Sequence, residues 1–202
     1  MRLYLVRHPK PLVAAGVCYG ASDVVCSAEA LESAAHHLLG SLPKGLKMIS
    51  SPLSRCEHLA LNLCRLEPSF AYKIDKKLVE MDFGAWEMQT WDSIAQTELQ
   101  AWTDDFASYR CGGSGESTGQ FVQRVAERLH ESLQSGEDQV WITHAGVIRA
   151  VQWLNEKLSD KSRASFIALP DRAWLLSQLR AADWPKGEVA FGRVHPLRWG
   201  RP

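Results

Sequence analysis

The chain carries no excess of charge of either sign: its 202 residues hold 23 lysines and arginines against 23 aspartates and glutamates. General nucleic-acid binding needs a strong positive field, so that class is set aside, although a small basic pocket is not. No stretch approaches the roughly 20 consecutive apolar residues of a membrane span. Arg2 leads straight into a strand pattern rather than a signal peptide, so a cytoplasmic location is expected. The five cysteines (Cys18, Cys26, Cys56, Cys64 and Cys111) are odd in number and widely spaced. That favours reduced thiols over a disulfide framework. CxxC and HExxH clusters are missing, so no structural zinc is expected. Internal repeats and low-complexity tracts are missing too. What remains, at 46% apolar and 23% charged residues, is an ordinary globular composition of single-domain length.

Two short apolar runs stand out. Tyr4-Leu5-Val6 ends abruptly in Arg7-His8, and Val140-Trp141-Ile142-Thr143 ends in His144, after which Ala145-Gly146 opens a helical pattern. Short apolar runs of this kind read as buried strands. A strand ending in cationic groups delivers them to the carboxyl edge of an open α/β sheet, where ligands bind. Two such strands predict two imidazoles side by side, and a phosphate is the natural client.

Between these runs the pattern alternates. Residues 9–28, rich in Pro, Gly, Ala and Ser, read as a long loop. Helical spacing covers Glu29–Leu39 and stops at Gly40. Leu46–Ser50 reads as a strand, and a helix starting at Ser51-Pro52 runs through Leu66, with Cys56 and Cys64 on one packing face. Ala71–Ile74 reads as a strand, residues 76–90 as irregular, and Trp91–Tyr109 as a helix. Ser117 or Thr118 caps a helix over Gln120–Leu133, and a further helix spans Val147–Leu158. Strand-like runs follow at Ser165–Leu169, Trp174–Leu179 and Arg193–Leu197. The alternation predicts an α/β fold in three α-β-α layers, a mostly parallel sheet with helices on both faces.

Chemistry then selects residues. A phosphomonoester dianion needs several cationic donors, a nucleophile in line with its leaving oxygen, and an acid for that oxygen. Neutral imidazole serves as nucleophile near neutral pH. Arg7 and His8 meet two of these needs, and His144, with small residues behind it, lies ready beside them. Arg55 falls in a first helical turn, whose positive end favours an anion. Residues 76–90 contain Glu80, Asp82 and Glu87. An acid near neutral pH must hold its proton, which partial burial favours; Glu80, between Val79 and Met81, fits best and Asp82 is its rival. Trp86 reads as packing. His36, His37, His58, His130 and His195 read as non-catalytic.

The motifs LVRHP at 5–9, SSPLSRCEHLA at 50–60, LVEMDFGAWE at 78–87, GES at 115–117 and THAGVIRA at 143–150 resemble, in order, those of the histidine phosphatase superfamily, also called phosphoglycerate mutase-like. The resemblance implies a single histidine phosphatase domain over 1–202, with a small helical cap over about 76–118. It implies that His8 becomes phosphorylated, that Arg7, Arg55 and His144 grip the phosphoryl group, and that Glu80 is the acid; no metal or other cofactor is implied. The partner implied is a small phosphorylated metabolite. Pro9 departs from the pattern, which usually has glycine there, because proline offers no N–H and no positive φ. Lys10, where many relatives carry an acid, either adds charge at the substrate rim or is simply solvated. LVEMDFGAWE resembles the α-ribazole phosphatase branch of cobalamin biosynthesis, which makes α-ribazole 5′-phosphate the leading substrate. A phosphoglycerate mutase-type or broad sugar phosphatase, and a non-catalytic phosphate-binding module, are the alternatives. The oligomeric state is not legible.

Overall fold

The computed structural model describes residues 1–158 and 170–199. Five strands form one sheet in the order β3-β2-β4-β1-β5: β1 (Arg2–Arg7), β2 (Lys47–Ser50), β3 (Ala71–Ile74), β4 (Gln139–Thr143) and β5 (Val194–Arg198). The first four are parallel, and β5 runs antiparallel along the outer side of β1. The strands carry apolar side chains on alternate faces, as a sheet covered on both sides requires. Leu3, Leu5, Ile49 and Trp141 join one core, while Val6, Met48, Val140 and Ile142 join the other.

Helices α1 (Ala28–Leu39) and α2 (Ser54–Leu66) cover the second face through Leu31, Ala35, Leu38, Leu59 and Leu63. Helices α4 (Thr118–Ser135) and α5 (Ala145–Lys157) cover the first through Phe121, Val125, Leu129, Val147 and Val151. These are the expected three layers. Ser117, not Thr118, caps α4, in a reciprocal box with Gln120, and Gly136 ends it at φ 66°. Cys56 is fully buried on α2 and Cys64 packs against the same core.

Three expected elements differ. Helix α2 starts at Ser54, after Pro52, because Ser54 donates both its N–H and its hydroxyl to Asp23 Oδ1, 2.8 and 2.7 Å away. Trp91–Tyr109 is not one helix: a 3₁₀ turn at Trp91–Ser93 precedes α3 (Gln96–Asp104). Trp91 there stacks on Trp102, their centroids 6.5 Å apart, so a ring contact replaces helical continuity. The Trp174–Leu179 run is not a strand: Trp174–Gln178 lies within α6 (Arg172–Gln178) and Leu179 caps its end. Its short apolar run carried no period long enough to tell the two apart. The run at Ser165–Leu169 lies outside the described residues. Among those residues no helix is long and apolar enough to cross a membrane.

Candidate active site

Register places the two histidines. Arg7 on β1 pairs with Thr143 on β4, and the ladder continues one step further as the His8 N–H donates to the Thr143 carbonyl at 3.1 Å. His8 and His144 therefore leave neighbouring strands at the same height, with ring centroids 5.2 Å apart. Both are buried, at 2% and 0% exposure.

Partner chemistry assigns their protons. His8 Nδ1 lies 2.6 Å from the Pro9 carbonyl. A carbonyl only accepts, so Nδ1 carries the hydrogen and Nε2 keeps its lone pair. His144 is the mirror case. Arg55 Nε–H donates to His144 Nδ1 at 3.2 Å, so Nε2 carries the hydrogen, 2.9 Å from Ser51 Oγ. Burial first, and the Arg55 charge second, push both imidazoles well below the ordinary histidine range. Both are neutral at neutral pH. Pro9 is compatible with this arrangement, since the group used at position 9 is its carbonyl, which also accepts from Cys26 Sγ at 3.2 Å. Positive φ among non-glycine residues occurs only at Met88 within the described residues.

The two arginines arrive from different sides. Arg55, fully buried on the first turn of α2, also donates to the carbonyls of Gly20 and Ser22, each at 2.7 Å. It thus straps the 9–28 loop over His144. Three of its five N–H groups are used, which leaves one on each terminal nitrogen. Arg7 donates to the Val189 carbonyl at 2.5 Å and stacks on the Phe191 ring at 3.5 Å. Its buried Nε–H has no partner among the described residues.

Glu80 and Asp82 separate cleanly. Glu80 Oε2 accepts from the Gly146 N–H at 2.9 Å, two residues beyond His144. A Cβ at position 146 would collide with Glu80 Oε1, so glycine is what lets the carboxylate approach the start of α5. Asp82 Oδ1 instead accepts from the Gly84 N–H at 2.8 Å, inside its own turn. The Glu80 segment is held by Arg124, which donates to the carbonyls of Lys77, Val79 and Glu80 and pairs with Glu116 at 2.7 Å. The GES motif is explained here: Gly115 passes against the Asp82 carbonyl, Glu116 fixes Arg124, and Ser117 caps α4.

The family model described as histidine phosphatase superfamily (branch 1) matches residues 3–169. The chain belongs to the histidine phosphatase superfamily. A structure of phosphoglycerate mutase from Thermus thermophilus is 34% identical, covering 75% of this chain and 82% of that one, with a TM-score of 0.61. A mycobacterial glucosyl-3-phosphoglycerate phosphatase in complex with VO3 is 25% identical, covering 78% and 82%, with a TM-score of 0.64. No curated protein matches. The fold is phosphoglycerate mutase-like and the enzyme class is phosphatase or mutase.

In this member of the histidine phosphatase superfamily several contributors escape sequence reading. Val189 and Phe191 reach back over Arg7 and His8 from the chain's last quarter, with Phe191 5.6 Å from the His8 ring. The Gly192 N–H donates to the Arg7 and His8 carbonyls. Glu87 accepts from the N–H groups of Ala21, Ser22 and Phe83 and so anchors the 9–28 loop; nothing in the sequence separates it from a plain surface acid. The Cys56 thiol, pushed up by burial, sits 3.5 Å from His144 Nε2. Lys10 is exposed and lines a separate cavity with Pro9, His37 and Arg193. Trp86 is core, its indole N–H donating to Glu98 at 3.3 Å. Among the described residues no group of three or more metal-ligating side chains converges.

Proposed function

We propose that this chain is a phosphomonoesterase that works through a phosphohistidine at His8, with α-ribazole 5′-phosphate, a precursor of the cobalamin lower ligand, as its substrate. The observation that carries the mechanism is the opposed pattern of partners on the two imidazoles, a carbonyl at His8 Nδ1 and an Arg55 N–H at His144 Nδ1. His8 Nε2, its lone pair free and its ring neutral, attacks phosphorus. As the N–P bond forms, the P–O bond to the alcohol breaks, and Glu80 gives its proton to the leaving oxygen. Glu80 then takes a proton from water as the water oxygen attacks phosphorus and the N–P bond breaks, releasing inorganic phosphate. Arg7, Arg55 and His144 hold the phosphoryl oxygens through this exchange. The unpaired Nε–H of Arg7 and the two remaining N–H groups of Arg55 supply donors; His144 Nε2–H turns from Ser51 to the phosphate. Lys10 has no part in this scheme. Residues 76–118 form the cap that meets the organic portion of the ester.

Similarity to a phosphoglycerate mutase keeps one other reading in play, transfer of the phosphoryl group back to the same molecule at a new position. A screen over metabolite phosphates that includes α-ribazole 5′-phosphate, with both phosphate release and isomer formation measured, decides. Stoichiometric free phosphate is the expected product, with α-ribazole 5′-phosphate among the best substrates. A positional isomer without phosphate release would establish the mutase, and indifference to α-ribazole 5′-phosphate would remove that substrate.

A further inference from the structure

Glu80 is shared between two environments. One side meets the start of α5, two residues past His144, and its charge acts on Arg7. The other lines a cavity of about 420 Å³ that also contains Phe83, Trp91, Trp102, Phe106, Trp184 and Arg149. The five rings form a continuous wall. Phe83 meets Trp91 edge-on at 5.3 Å, Trp91 lies nearly parallel to Trp102 at 6.5 Å, Trp102 meets Phe106 at 5.6 Å, and Phe106 meets Trp184 at 5.6 Å. Trp102 already donates its indole N–H to Thr118 at 3.1 Å, so its polar edge is not on offer to a ligand. Among the described residues of the lining, Arg149 brings the one cationic group, with a buried Nε–H that lacks a partner there.

Resting on the phosphomonoesterase reading above, we propose that this cavity is the leaving-group subsite and that it takes an alcohol bearing a flat, uncharged ring system. Several facts converge on that class. The cavity begins at the carboxylate that protonates the leaving oxygen, so the alcohol must extend into it. Aromatic walls reward stacking and penalise the desolvation of charge. A polyhydroxylated sugar would need many hydrogen-bonding partners, which this wall does not hold. An anionic alcohol such as a glycerate would bring its carboxylate close to Glu80, which itself becomes negative as it gives its proton to the leaving oxygen. An uncharged ring system bearing an acceptor atom fits both the aromatic wall and the unpartnered Arg149 Nε–H.

The test uses two esters with matched leaving oxygens, 2-(2-naphthyl)ethyl phosphate and ethyl phosphate, with 3-phosphoglycerate as the anionic control. The ring-bearing ester should exceed ethyl phosphate by about tenfold or more in kcat/KM, chiefly through KM. 3-Phosphoglycerate should be no better than ethyl phosphate. Trp91→Leu should shrink the naphthyl-to-ethyl ratio by about tenfold. A wild-type ratio near one, or a preference for 3-phosphoglycerate, overturns the proposal, and the wild-type ratio decides even where the variant fails to fold. Calorimetric titration with 2-(2-naphthyl)ethanol separates the two readings. If no ester is hydrolysed but the alcohol still binds, phosphomonoesterase activity fails and the ring subsite stands. Alcohol that does not bind removes the subsite.

Discussion

At the carboxyl edge of the sheet, polar side chains hold one another through directed hydrogen bonds: Arg55 to His144, His144 to Ser51, His8 to the Pro9 carbonyl. Across Glu80, five rings are held mainly by packing: four come from residues 83–106, a stretch of 3₁₀ turns and one short helix, and Trp184 follows a 3₁₀ turn late in the chain. The first region inherits its geometry from strand register and tolerates little displacement. The second inherits its shape from side-chain volume and can be resculpted without touching the sheet. On the function proposed above, chemistry belongs to the rigid side and selectivity to the packed one, with Glu80 between them.

The largest effect expected is on the rigid side. His8→Ala should lower turnover by roughly 10⁴-fold or more for every ester, ring-bearing or not, because no other group supplies the in-line lone pair. Rapid-quench trapping should find no phosphoenzyme. A variant that still forms a phosphoenzyme would move the nucleophile elsewhere. Glu80→Gln probes the boundary. Alkyl esters, whose leaving oxygen needs a proton, should slow by about 10²–10⁴-fold, and activated aryl phosphates far less. Equal slowing of both classes would relocate the acid.

Gly146→Ala sharpens the comparison further, because it moves one carboxylate without changing any proposed catalytic side chain. The added Cβ would press on Glu80 Oε1, and the flexible carboxylate gives way before the backbone does. Gly146 is the second residue of α5, where alanine gains less than the roughly 1 kcal/mol of a helix interior, so the protein should stay about as stable as the wild type. Alkyl-ester turnover should nevertheless fall by roughly 10²-fold, the order expected for a small misplacement at a reacting centre. Unchanged turnover in that variant would mean that the Glu80–Gly146 contact does not position the acid.

The rigid region was largely legible in the sequence because its signals are local. Apolar runs ending in Arg7-His8 and in His144 show both the strands and what they deliver, and the periodic stretches before and after them show the helices. The packed region was poorly legible. Nothing near Trp91 tells whether its ring continues a helix or stacks on Trp102, since that depends on a contact 11 residues away. Phe191 and Val189 were invisible for the same reason at longer range: β5 pairs antiparallel with β1, and that pairing brings the preceding turn over Arg7. Glu87 shows the limit for charged residues. An acid with four donors around it looks, in sequence, like any surface acid.

The smallest expected effect is on stability, and it again falls on one region only. Both histidines of the rigid side are held below the ordinary value near 6.5 by burial and by Arg55. In the unfolded chain each takes up a proton as the pH falls through about 6.5; in the folded protein each resists. The unfolded state then binds more protons, so their contribution to stability is intact above about pH 6.5 and declines as the pH drops from there toward the lowered folded values. Each group adds a slope of up to about 1.4 kcal/mol per pH unit in that window. His144→Asn should therefore flatten the dependence of the urea midpoint on pH between about 6.5 and about 5 by roughly one group's share. The acid limb of kcat/KM in the wild type should lie below about 6.5. Among the described residues the ring wall brings only Glu80 and Arg149 as charged groups, so the naphthyl-to-ethyl ratio should stay level across the same window. An unaltered slope in His144→Asn would mean that this imidazole takes up its proton as readily in the native state as in the unfolded chain, and its assigned hydrogen bond from Arg55 would have to be abandoned.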